Sequence, residues 1–338
     1  MHKSKIKSIS GCISHEEHPA ESNDTSKVMS VAVDGGSRGN SNSQKRCMSA
    51  NWHITSRCNY NCPFCFAQSF RPEIKDVKEQ EKIMGVLAEN GISKLNIVGG
   101  EPQLHPDFIK ILKMSHDHGF TTTMQTNGSL LNVQNISEIA RYADWIGVSL
   151  DSGNESTELL LKRGNGKHVE TVKRACSLIR NNGLNLKINT TITSLNWNES
   201  MHKIIEELGP DRWKIFRMLM VEGENDNAEY LRPSDDQFGS FRETHSDIVL
   251  RSGERPVFED SGDMYGSYLM ISPDGMIQTN LNKKIEYHPI EVVNFMNEHG
   301  FIDVNKYVER GAIYDWNRKW RCFTTDPGSD DGNSGRAF

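Results

Sequence analysis

No apolar run in this chain of 338 residues approaches the roughly 20 that a helix needs to cross a bilayer, so no membrane partner is expected. Residues 1–46 hold no apolar core segment, which leaves no secretory signal. Glu16, Glu17, Glu21 and Asp24 give that stretch the wrong sign for a basic organellar leader. A net positive charge is also missing: 39 Lys and Arg against 45 Asp and Glu leave −6, which argues against nucleic acid as a direct partner. A small polyphosphate needs only a local basic pocket and stays possible. There is no disulfide framework either. Of seven cysteines, Cys12, Cys47, Cys176 and Cys322 are isolated, the usage of a reducing compartment, here expected to be the cytoplasm.

What is present is an alternation of strand and helix. Residues 1–46, rich in Ser, Asn, Gly and charge, read as a disordered tail that cannot bury a core. Period-two patterns then predict strands over 51–56, 94–98, 121–126, 145–150, 186–192 and 213–219. Helices are expected between them over 75–90, 106–118, 132–142, 168–182 and 198–208. Such alternation is that of a parallel α/β sheet, and six units are too few for the eight that close a full barrel. The expected core, 47–222, is therefore an open partial barrel. A C-terminal extension, 223–323, is expected to cover the ligand site, with a helix over 235–245, a hairpin turning at Pro273-Asp274-Gly275 and a short helix over 289–298. A frayed tail, 324–338, ends the chain.

Cys58, Cys62 and Cys65, spaced C-x3-C-x2-C after the first strand, can converge on one inorganic centre. Thiolates select iron–sulfur clusters, zinc or copper(I). Three ligands on a four-iron cubane leave one iron open; the same three also fit part of a structural zinc site. About 34 residues beyond Cys65, Gly99-Gly100-Glu101-Pro102 closes the second strand. Paired glycines there let a ligand lie against bare backbone, and Glu101 offers an acceptor for an ammonium.

On the strands, one face is apolar and the other is not. Lys94 and Asn96 share a face, as do Lys187, Asn189 and Thr191, and Arg212, Lys214 and Phe216. The apolar sets should meet the helices, which turns the lysines into the barrel. Burying an ammonium is costly unless it is paired, so either an anionic ligand or buried carboxylates must answer these charges. Arg163 lies in a basic glycine-flanked loop that suits a solvated turn or a phosphate equally. Asn127-Gly128-Ser129, and Ser149 with Asp151, stand at strand ends as turns, caps or cofactor contacts.

The cysteine and Gly-Gly-Glu-Pro motifs resemble those of radical SAM enzymes, and further stretches narrow the likeness to viperin-like enzymes, particularly the prokaryotic ones. These are Lys94-Leu95-Asn96, Asn127-Gly128-Ser129, Arg163-Gly164-Asn165-Gly166-Lys167, Lys187-Ile188-Asn189, Arg212-Trp213-Lys214, Glu222-Gly223-Glu224-Asn225 and Ser267-Tyr268-Leu269. The resemblance implies a partial (β/α)6 radical SAM barrel with a C-terminal extension. It implies a [4Fe–4S] cluster on Cys58, Cys62 and Cys65, with S-adenosylmethionine held by Gly99, Gly100, Glu101, Asn127, Ser149 and Arg163. Lys94, Asn96, Lys187, Asn189 and Lys214 are implied for the nucleotide, with Asn280 near the base, Lys284 near a phosphate, and Tyr268 as a proton or hydrogen donor. The implied reaction converts CTP, UTP or GTP to its 3′-deoxy-3′,4′-didehydro analogue, a chain terminator that restrains viruses or phage. A 5′-deoxyadenosyl radical takes the ribose 4′ hydrogen, the 3′ hydroxyl leaves as water, and one electron and a proton complete the product. A one-electron donor of flavodoxin or ferredoxin type and a monomeric enzyme complete the expectation. Residues 1–46 do not resemble the membrane helix of animal relatives, and the final Phe338 replaces their terminal tryptophan.

Two other readings compete. A radical SAM enzyme that matures a peptide or cofactor would want further clustered cysteines, and the remaining four are scattered. A binding module with a zinc or electron-transfer centre would give no reason for lysines inside the barrel.

Overall fold

The computed structural model describes residues 48–281, 283–292, 302–310 and 312. The tails expected over 1–46 and 324–338 lie outside these residues. So does most of the helix expected over 289–298, of which one 3₁₀ turn, Ile290–Val292, is described.

Strand and helix alternate from the start of this region. The order is β1 (Met48–His53), α1 (Val77–Glu89), β2 (Ile92–Val98), α2 (Phe108–Asp117), β3 (Thr121–Thr126), α3 (Ile136–Ile139) and β4 (Trp145–Ser149). Next come α4 (Glu155–Leu160), α5 (His168–Asn181), β5 (Asn185–Ile192), α6 (His202–Leu208) and β6 (Arg212–Arg217). After them lie α7 (Asp235–His245), β7 (Val257–Glu259), α8 (Ser261–Met264), β8 (Leu269–Ile271), β9 (Ile277–Thr279), β10 (Glu286–His288) and α9 (Val304–Glu309).

Among the described residues the ten strands form one sheet in the order β10-β9-β8-β1-β2-β3-β4-β5-β6-β7. From β8 to β7 every neighbour is parallel, while β8, β9 and β10 pair antiparallel. The six expected strands are thus the centre of a wider sheet. The segment after residue 222 extends it at both edges, placing β7 beside β6 and β8 beside β1. Two expected helices are shorter than their pattern suggested. Within 132–142 only α3 is helical, because Asn132 Oδ1 accepts from the Gln134 and Asn135 N–H groups (2.9 and 3.1 Å) and Asn135 Nδ2 donates to the Leu130 carbonyl (2.8 Å). Such side-chain bonds offer the backbone an alternative to the helix. Within 198–208, α6 starts only at His202.

The core lies between the outer face of the sheet and the helices. Leu95, Ile97, Leu186, Ile188, Trp213 and Ile215 are fully buried there, the sets the alternation assigned to the helices. Trp213 is held on several sides: its Nε1–H donates to Thr190 Oγ1 (2.9 Å), and its ring meets Phe241 and His245 of α7 edge-on, at 6.4 and 5.7 Å. Trp213→Ala is therefore expected to cost ~3–5 kcal/mol of folding stability in denaturant titrations. A loss below ~1 kcal/mol would show that this contact does not organise the α7 side of the core.

Candidate functional site

β1 delivers the chain to the loop that carries Cys58, Cys62 and Cys65, and the end of β2 fixes the course of that loop. Gly100 N–H donates to the Thr55 carbonyl and Glu101 N–H to that of Arg57, both at 2.8 Å. A Cβ on Gly99 would lie 2.7 Å from the Thr55 carbonyl oxygen, and one on Gly100 would lie 2.3 Å from that of Arg57. The paired glycines are thus needed for two segments of this chain to pass closely, a reason additional to the ligand contact read from the sequence.

Polar side chains hold the rest of the loop. Asn59 Nδ2 donates to Ser129 Oγ (2.8 Å), Asn127 Nδ2 to Asn59 Oδ1 (2.8 Å), and Ser129 Oγ to Asn127 Oδ1 (2.6 Å), closing a ring between the loop and the end of β3. His168 Nε2–H donates to the Ser149 carbonyl (2.9 Å), which leaves Nδ1 to accept the Tyr60 hydroxyl (3.2 Å). Burial, helped by the nearby Arg163 charge, pushes His168 down to about 3 and keeps it neutral. Glu224 accepts from the Gln68 and Ser69 N–H groups (2.6 and 2.8 Å), while Asn225 Nδ2 donates to the Phe64 carbonyl (3.1 Å). The Glu222-Gly223-Glu224-Asn225 stretch therefore braces the cysteine loop.

All three cysteines are free thiols, and burial raises each, Cys62 to about 12. An iron–sulfur cluster draws one thiolate to each of several irons. Three cysteines of one loop, all on a cavity wall, fit that donor set.

The cavity holds about 510 Å³ and runs from the cysteine loop down the inner face of the sheet. It brings together Gly99, Gly100, Asn127, Ser149 and Arg163 near the cysteines, and Lys94, Asn96, Lys187, Asn189 and Lys214 on the strands. Tyr268 and Asn280 reach it from the C-terminal segment. Two expected residues do not line it. Glu101 is fully buried, and its carboxylate accepts from Thr126 Oγ1 (2.8 Å) and the Asn127 N–H (2.9 Å), so it shapes the end of β3 instead of facing the cavity. Lys284 stands at the surface in an exposed pair with Glu222 (3.3 Å).

At the cysteine end, Arg163 Nε meets Asp151 at 2.6 Å, with Glu158 3.8 Å away. One guanidinium thus faces two carboxylates, and burial together with the Asp151 charge pushes Glu158 up to about 8. At the far end the charges are reversed. Lys214 pairs with the fully buried Glu259 of β7 and donates to the Tyr268 hydroxyl (3.0 Å), whose own O–H is given to Glu259. The alternative of a buried carboxylate partner therefore holds for Lys214. Lys187 has no ion pair among the described residues, and burial drives it well below the usual lysine range.

Sequence reasoning missed several groups on this wall. His53 was readable, since it shares the inward face of β1 with Asn51. Gln125 was not: its amide accepts from Asn189 Nδ2 (2.8 Å) and donates to Ser149 Oγ (3.1 Å) across β4. Gly147 makes that crossing possible, as a Cβ there would lie 2.0 Å from Gln125 Oε1. Arg310, after α9, reaches the cavity and stacks 3.7 Å over the Tyr268 ring with no local signal to announce it.

The Radical SAM superfamily profile matches residues 52–208. An S-adenosylmethionine-dependent nucleotide dehydratase of a Thermoplasmatales archaeon is 32% identical over 275 residues, spanning 81% of this chain and 98% of that protein. One from Flammeovirga pacifica is 34% identical over 283 residues, 79% of this chain and 96% of its own. The enzyme RSAD2 of Oncorhynchus mykiss is 32% identical, with 66% of each chain covered. Among solved structures, anSMEcpe with bound AdoMet and a peptide superposes with a TM-score of 0.57 at 17% identity, over 78% of this chain and 81% of that one. Streptococcus suis SuiB bound to S-adenosylmethionine gives 0.55 at 18% identity, over 69% and 60%. At these identities the two share the fold.

Because a Cβ at residue 100 collides with backbone, Gly100→Ala should displace the cysteine loop at a cost of order 1–3 kcal/mol. Reconstitution with iron and sulfide should then load the variant poorly by iron and labile-sulfide assay. Full loading would mean that the glycine pair does not set the loop.

Proposed function

We propose, on the premise that the chain belongs to the S-adenosylmethionine-dependent nucleotide dehydratases of the radical SAM superfamily, that its cavity converts CTP, UTP or GTP to the 3′-deoxy-3′,4′-didehydro nucleotide. Cys58, Cys62 and Cys65 ligate the [4Fe–4S] cluster, and Gly99, Gly100, Asn127, Ser149 and Arg163 surround S-adenosylmethionine beside it. Bound together, these cofactors supply the carbon-centred radical that starts the reaction.

The chain's own residues do the binding and orienting. Lys187 carries the reading: its amine has no ion pair among the described residues and burial favours its neutral form, and an anionic ligand is what would restore its charge. A triphosphate laid along β5 and β6 would meet Lys187 and Lys214 together, which register brings to neighbouring strands, with Arg212 directly opposite Lys187. Lys94, Asn96 and Asn189 then face the rest of the nucleotide. From the chain beyond β6, Tyr268, Asn280 and Arg310 complete the wall of the site. Tyr268 is the candidate proton or hydrogen donor, its O–H kept by Glu259 until needed. A flavodoxin or ferredoxin-type donor would supply the electron near Cys58, the most exposed of the three cysteines. Lacking a 3′ hydroxyl, the product could not be extended by a polymerase, which fits a defence role against viruses or phage.

Hydrogen bonds to charged groups contribute ~1.5–3 kcal/mol, so Lys187→Ala should weaken nucleoside triphosphate binding roughly tenfold to a hundredfold. Dithionite-driven formation of 5′-deoxyadenosine should survive, since Lys187 lies away from the cofactor end. Nucleotide titrations and deoxyadenosine assays on the same reconstituted protein separate the two effects. Undiminished nucleotide affinity would remove the phosphate-cavity argument.

A further inference from the structure

The sheet is open between β7 and β8, its two parallel outer strands, and the gap is bridged by polar side chains. Glu259, the last residue of β7, accepts the Tyr268 hydroxyl from the turn before β8 and pairs with Lys214 of β6. Arg310 approaches Glu259 at 3.6 Å, donates to the Ser267 carbonyl at 2.8 and 3.2 Å, and lies over the Tyr268 ring. Lys214, Tyr268 and Arg310 all line the cavity, whereas Glu259 does not; it sits behind them with no solvent exposure.

We propose that Glu259 is a positioning residue, the fixed counter-charge that keeps Lys214 an ammonium and holds Tyr268 and Arg310 against the cavity before substrate arrives. The proposal rests on the reading of this cavity as a triphosphate site. Lys214 is packed among opposing groups. Burial disfavours its charge most, and Arg310 from beyond α9 and Arg212 on its own strand add to that; Glu259 on β7 favours it, the Tyr268 hydroxyl accepts its N–H, and Lys187 on β5 faces it as a group that the Lys214 charge itself lowers. The balance leaves Lys214 lowered to about 8, so it still carries a proton at neutral pH. Without the Glu259 charge the opposing groups would prevail, and the lysine would meet the phosphates uncharged. A purely structural role in bridging β7 and β8 would instead weaken binding equally at every pH.

The test is the pH dependence of CTP, UTP and GTP binding to the reconstituted full-length protein, followed by titration calorimetry between about pH 5 and 9.5, so that an onset lowered by roughly 1–3 units still falls inside the range. A terminal phosphate loses its second proton near pH ~6, so the ligand is ionised through most of this window. Because Lys214 must be protonated to bind, affinity should be full below its pKa and fall above about 8 in the unaltered protein. In Glu259→Gln the fall should begin lower by roughly 1–3 pH units, the range that an opposite charge at contact commands. Glu259→Asp should restore it towards the original position. Lys214→Arg, which needs neither Glu259 variant to fold, should remove the part of the fall that Glu259→Gln moves, because a guanidinium does not titrate there, and leave only what Lys187 contributes. A Glu259→Gln profile lowered uniformly, or a fall unmoved in either Glu259→Gln or Lys214→Arg, would overturn the proposal alone. Failure of the unaltered protein to bind any of the three nucleotides would overturn it together with the triphosphate reading.

Discussion

A lysine inside a barrel, buried and without an ion pair among the described residues, is the constraint on which the site turns. Lys187 stands on the inner face of β5 because its strand neighbours Leu186 and Ile188 are committed to the helices on the other side. Desolvating that charge costs several kcal/mol unless it is answered. Lys214, one strand over, is answered by Glu259, whereas Lys187 has no ion pair among the described residues. On the proposed reading, that asymmetry is what would receive an anion on the inner face.

The opposite end of the cavity is built on another principle. Around the cysteines the charges are balanced within the protein, with Arg163 shared between Asp151 and Glu158, and the loop is positioned by neutral hydrogen bonds from Asn59, Asn127, Tyr60 and His168. Backbone contact at Gly99 and Gly100 sets its distance from β2. A cluster and its cofactor need fixed geometry more than net charge, and a triphosphate needs net charge, so on the proposed reading one sheet would serve both by what its strand ends and strand interiors carry. The radical SAM superfamily profile spans residues 52–208, from β1 to β5, and the nucleotide dehydratase of the Thermoplasmatales archaeon matches 81% of the chain.

Much of this was legible because the fold's central rule is local. Strands that alternate at period two announce both faces, and so β2, β5 and β6 revealed their lysines directly. Cys58, Cys62 and Cys65 were legible for the same reason: their spacing lies within one loop. What escaped depends on distant segments. β7 has three residues and follows Pro256, too short for a periodic signal, so Glu259 and its pairing with Lys214 were invisible. Arg310 acts from beyond a six-residue helix. Glu101 carried the right motif, but the Thr126 and Asn127 groups that claim its carboxylate belong to another strand end. Lys284 depended on alignment across a loop, and the fold leaves it paired with Glu222 at the surface.

The central claim, that this cavity dehydrates a nucleoside triphosphate, is tested most directly by product analysis. The reconstituted protein would be given dithionite, S-adenosylmethionine and each ribonucleoside triphosphate in turn without oxygen, and the products weighed by mass spectrometry. The account predicts that one of CTP, UTP or GTP yields a triphosphate lighter by one water, formed in step with 5′-deoxyadenosine. Deoxyadenosine released while every nucleotide is recovered unchanged would contradict it.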